Sequence, residues 1–63
     1  MKLFDTEYKI EIYNERTQEW EVHISNFLSK DAAIKTLEER RRHYVNSMYR
    51  LVELTISTKV LDV

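Results

Sequence analysis

The chain contains neither glycine nor proline. Those residues normally supply the left-handed and φ-locked backbone of turns. Every reversal must therefore be built from residues such as Asn, Asp, Ser and Thr, which favours a fold with few and simple connections. The segments between the polar breaks can be read one at a time by their hydrophobic period.

The stretch Ser29 to Met48 reads as one amphipathic helix. Ala33, Ile34, Leu37, Tyr44, Val45 and Met48 recur at helical spacing, with Glu38, Glu39, Arg42, His43 and Asn46 on the other side. Ser29 is placed to cap the helix, and Asp31 in the first turn suits its dipole. Asp31 with Lys35, Glu38 with Arg42, and Glu39 with His43 are spaced for i, i+4 pairing on the outer face. Arg41 falls inside the apolar stripe. Its stem can cover the core while the guanidinium reaches the rim or a sheet carboxylate, or it can touch a partner or a second subunit.

Before the helix, Phe4, Thr6, Tyr8, Ile10 and Ile12 alternate with Asp5, Glu7, Lys9 and Glu11, the period of a half-buried strand. Alternation resumes after Asn14-Glu15-Arg16-Thr17-Gln18 with Trp20, Val22 and Ile24 against Glu19, Glu21, His23 and Ser25, which predicts a hairpin. Asn14 is the residue of that loop best suited to left-handed backbone. After the helix, Tyr49 to Val60 reads as a single long strand with Val52, Leu54, Ile56 and Val60 on one parity. At about 3.3 Å per residue it would outrun its neighbours. Part of it must lack a partner, bend at Ser57-Thr58, or pair with another chain.

The expected architecture is a single α+β domain over residues 1–63, a ββαβ chain forming a three-stranded antiparallel sheet of order 2-1-3 with one helix across one face. Order 1-2-3 is the alternative. The core would gather Phe4, Tyr8, Ile10, Ile12, Trp20, Val22, Ile24, Leu28, Ile34, Leu37, Tyr44, Met48, Val52, Leu54 and Ile56. The uncovered face would carry Asp5, Glu7, Glu11, Glu19, Glu21 and Glu53, relieved by Lys9 and Lys59, with Tyr13, His23, Tyr49 and Leu51 among them.

Sixty-three residues make a small core, and domains of that size usually need a disulfide, a metal or a second subunit. No cysteine is present, which removes disulfides, thiolate metal sites and cysteine catalysis together. Self-association is the remaining staple. The net charge of −1 does not suit a general polyanion binder. Its distribution is uneven: residues 1–26 hold six acids and three bases, and residues 27–50 hold three acids and six bases. No apolar run reaches the roughly 18 residues of a membrane span, and Asp5 interrupts any signal-peptide core, so a cytoplasmic protein without membrane contact is expected.

Motifs for chemistry are missing. His23 and His43 lie on separate elements, no ligand spacing or Gly-rich loop occurs, and a chain this small leaves little room for a pocket of about 300 Å³. Neither enzyme, metal nor cofactor is expected. Arg40-Arg41-Arg42 raises nucleic-acid binding, with Lys35 and Arg50 as helpers, but about 100° per residue spreads the three around the helix.

The Trp20-bearing hairpin, the helix entry FLSKDAAIKTLEERRR and the closing YRLVELTISTKVLDV resemble the short uncharacterised proteins of phage and prophage genomes. That resemblance implies a small binder that blocks or redirects a host enzyme or defence system in the host cytoplasm. The expected function is a non-enzymatic protein-binding module that self-associates. A nucleic-acid accessory protein or a minor structural or assembly protein is the alternative. Partner contact is expected at Glu7, Glu11, Tyr13, Glu21, His23, Tyr49, Leu51 and Glu53. Self-association is expected at Thr58, Val60, Leu61, Val63 and Arg41.

Overall fold

A computed structural model describes residues 6–55 and 58–63. The elements run β1 (Glu7–Asn14), β2 (Glu19–Phe27), α1 (Lys30–His43), β3 (Tyr49–Leu54) and β4 (Thr58–Leu61). They form one α+β unit with a four-stranded sheet of order β2-β1-β3-β4, antiparallel at every pair. The expected order 2-1-3 is present, and a fourth strand extends it. The run read as one long strand reverses, so that Leu54 pairs with Thr58 and Val52 with Val60. Most of its length finds a partner within the chain. The expectations placed on Phe4, Asp5, Ile56 and Ser57 lie outside the described residues.

The hairpin turn works differently from its expected form. Asn14 uses its side chain, with Oδ1 accepting from the backbone N–H of Arg16 at 2.9 Å and of Thr17 at 3.4 Å, while its carbonyl accepts from Gln18 N–H at 2.7 Å. The left-handed residue is Gln18, at φ 60°. Asn26, at φ 69°, is the other non-glycine residue in that region among the described residues. Asparagine is among the cheapest choices there when glycine is absent.

Two irregularities in β2 rewrite its pattern. From Tyr8 to Ile10 the first strand advances two residues while β2 retreats three, from Phe27 to Ile24. From Ile10 to Glu11 it advances one while β2 retreats two, to Val22. Each extra residue switches which parity faces which side. Cross-strand partners share a face, so Ile24 and Phe27 lie with Ile10 and Tyr8, whereas Val22 and Trp20 lie with Glu11 and Tyr13 on the reverse.

α1 begins as expected, with Ser29 Oγ accepting from Ala32 N–H at 3.3 Å. It ends at His43, five residues before Met48, where Tyr44 leaves helical geometry at φ −128° and ψ 71° while still donating to the Arg40 carbonyl. The chain must turn there so that Tyr49 can lie beside Ile12, and that pairing overrides the continuing apolar period. Tyr44 and Met48 are consequently 50% and 53% exposed instead of core, and Leu28 is 77% exposed.

Ile10, Ala33, Leu37, Tyr49 and Leu51 form the buried cluster, with Tyr8, Ile12, Phe27, Ile34 and Leu61 packed around it. Tyr49 and Leu51, expected on the open side, thus lie beneath the helix, because they pair with Ile12 and Ile10. Val52 lies on the reverse face and is buried there. Replacing Leu37 by Ala is expected to cost about 2–5 kcal/mol, while Leu28→Ala stays within about 0.5 kcal/mol. Urea unfolding of the two variants checks this pair, and equal losses would contradict the packing.

Candidate functional site

The expected partner-binding set is divided by the sheet. Glu7, Glu11 and Tyr13 sit on the reverse face. Leu51, Tyr49 and Glu53 pair with Ile10, Ile12 and Tyr8 on the helix side, and Glu21 is paired with Ile12. The His23 ring lies 5.4 Å from that of Tyr49, and the bulge beside it accounts for this placement. Tyr49 and Leu51 are 7% and 0% exposed, which removes them from any contact surface. No continuous acidic-aromatic face exists among the described residues.

On the reverse face Glu11 is the organising group, at 8% exposure the one buried charged residue among those described. Arg50, its cross-strand partner, reaches Oε1 with both Nε and Nη2 at 2.7 Å, and Lys9 Nζ stands 3.2 Å from Oε2. The Arg50 guanidinium also lies 4.3 Å over the Trp20 ring, and Tyr13 meets Trp20 edge-on at 5.2 Å. Burial pushes the Glu11 carboxyl up, but the hydrogen bonds and charges of Arg50 and Lys9 outweigh it and hold the group below its ordinary 4.5. These are the two ion pairs among the described residues. The i, i+4 pairs expected along α1 are not closed.

Arg50 is therefore committed to Glu11 and Trp20 on the face away from α1, which separates it from Lys35, Arg40 and Arg42 and breaks up the expected nucleic-acid set. Arg41 donates from Nη2 to the Tyr49 carbonyl at 3.0 Å, so its guanidinium ties the helix to the start of β3. Arg40 is half-buried, with its guanidinium 6.0 Å from the Tyr44 ring centroid and its Nε buried without a hydrogen-bond partner among the described residues.

Among the described residues, a concavity lies at the end where the β1–β2 turn meets the loop between α1 and β3. An open groove of about 530 Å³ is lined by Ile12, Tyr13, Asn14, Glu15, Arg16, Glu21, Asn46, Ser47 and Met48. It is larger than the chain length led one to expect, though it is a trough and not an enclosed cavity. Its two walls are fixed together by the Tyr13 N–H, which donates to the Met48 carbonyl at 2.9 Å. Within it Asn14 Nδ2 donates to Glu21 Oε2 at 3.0 Å. The loop is closed by Ser47 N–H donating to the Tyr44 carbonyl at 3.1 Å, and its apolar side chains stay outside: Val45 is 78% exposed, alongside Tyr44 and Met48.

Sequence reasoning missed this loop as a surface because Tyr44, Val45 and Met48 prolong the helical stripe. The pair Asn46-Ser47 was the available signal of a turn. Among the described residues no group of three or more His, Cys, Asp or Glu could hold a metal ion, and no helix is long and apolar enough to cross a membrane. Comparison with protein-family models, curated proteins and solved structures finds no match.

Because the folded pKa of Glu11 lies below that of the unfolded chain, its contribution to stability is complete above the ordinary carboxylate range and disappears as pH falls through the folded value. Glu11→Gln is expected to cost about 1–3 kcal/mol at neutral pH. That deficit should shrink as the pH falls below the ordinary 4.5. Urea titrations of both proteins across this range check it, and a deficit unchanged at low pH would contradict the assignment.

Proposed function

We propose that the chain is a small non-catalytic protein-binding module that meets its partner with the loop end of the fold. The carrying observation is that Tyr44, Val45 and Met48 stand 50%, 78% and 53% exposed at one end of a chain that buries only six apolar residues among those described. Apolar side chains grouped on the surface of so small a domain are the usual mark of an interaction site. The groove beside them supplies the remaining features of such a site. Ile12, Tyr13 and Met48 offer apolar walls, while Asn14, Arg16, Asn46 and Ser47 offer polar groups to fix orientation.

The groove gives little support to catalysis. Glu21 already accepts a hydrogen bond from Asn14, and no histidine, lysine or cysteine lines it. Inhibition of a host factor, implied by the phage-protein resemblance, would be one consequence of binding of this kind and is carried by that resemblance alone.

Val45→Asp and Met48→Asp change exposed positions and should leave thermal unfolding nearly unchanged. Each is expected to weaken capture of a partner from cell lysate about tenfold or more, with Leu28→Asp, at an exposed position before the helix N-terminus, as the control. Equal capture by all three variants would overturn the placement of the site, and no capture by the unaltered chain would overturn the binding function.

A further inference from the structure

The two edges of the sheet are built differently, and the difference bears on self-association independently of the loop end. β2 forms one edge, and its two bulges and the left-handed Asn26 interrupt the regular row of backbone groups that another strand would need. β4 forms the other edge, where Thr58, Lys59, Val60 and Leu61 pair with β3 without a register shift. Val60 is 51% exposed along it, and Val63, two residues past its end, is 43% exposed.

We infer that β4 is a docking edge for a second copy of this chain, joined antiparallel about a two-fold axis through Val60. A two-fold axis relating antiparallel edge strands stands perpendicular to the sheet and preserves its faces, so each residue must meet one of its own parity. Centring on Lys59 opposes two ammonium groups, which is unfavourable. Centring on Leu61 sets Val60 against Asp62. Centring on Val60 opposes the two Val60 side chains, sets Thr58 where its hydroxyl can donate to Asp62, and lays the Lys59 stem along Leu61. Of these three registers, the one centred on Val60 makes the sequence TKVLD complementary to itself. The product is a continuous eight-stranded sheet made from two four-stranded ones. Four residues of edge bury less than the roughly 1,200 Å² of a standard interface, so the association is weak and reversible.

The register is tested by cysteine cross-linking of the full chain. Directly opposed antiparallel residues stand about 4.5–5.5 Å apart at Cα, inside the roughly 4.4–6.8 Å span of a disulfide. Val60→Cys is expected to give a covalent dimer on mild oxidation, reversed by a thiol reductant. Lys59→Cys, and Val22→Cys at the bulged edge, are expected to cross-link at least an order of magnitude less under the same conditions. The unaltered chain should show reversible dimerisation by sedimentation at a few hundred micromolar, abolished by Val60→Lys. Equal cross-linking at the three positions, or a strict monomer at that concentration, would overturn the proposal and leave the loop-end binding function untouched.

Discussion

Glu11 and Arg50 face each other across the two central strands, and the rest of the sheet is arranged by that pairing. An ion pair buried at 8% exposure on the carboxylate side carries a desolvation cost that only good geometry offsets. Here the geometry is a pair of 2.7 Å contacts from one guanidinium to one carboxylate oxygen, with Lys9 at the other oxygen and Trp20 stacked beneath the guanidinium. Sliding β3 by one residue would separate these groups and turn Tyr49 and Leu51 away from the helix. The polar pairing on one side of the sheet and the apolar core on the other thereby specify the same register.

The helix contributes little bulk to that core. Ala33 and Leu37 are its buried residues, and Ile34 is half-covered. What it contributes is position, because Arg41 binds the carbonyl of Tyr49 at the point where the chain enters β3. An arginine in the apolar stripe is thus explained as a link between helix and sheet. Ending α1 at His43 then releases Tyr44 to Met48 into the loop that rims the groove, so the surface offered for binding is a consequence of how the core is closed.

Parts of this arrangement were legible in the residues themselves. The hairpin, the Ser29 cap and the adjacency of the first and third strands follow from period, capping chemistry and connection length. The face assignments were not. Tyr49 to Leu54 is apolar on both parities, so periodicity alone cannot choose between Tyr49 with Leu51 and Val52 with Leu54, and the choice is made by Arg50 meeting Glu11. In β2 the alternation of Trp20, Val22 and Ile24 is unbroken in sequence, yet a bulge between Val22 and Ile24 puts them on opposite sides. The end of α1 was hidden because no glycine or proline marks it and Tyr44, Val45 and Met48 keep the helical spacing. The groove was invisible for the same reason, since it is formed by that loop and the distant β1–β2 turn.

The face assignment of β3 is the point on which core, ion pair and exposed surface all rest, and side-chain NMR tests it directly. A carbon-edited NOE spectrum is expected to connect the Leu51 methyls to those of Ala33 and Leu37, with the Val52 methyls connected instead to Val60 and the Lys9 stem. Connections from Val52 and Leu54 to Leu37, with Leu51 silent towards the helix, would contradict the account.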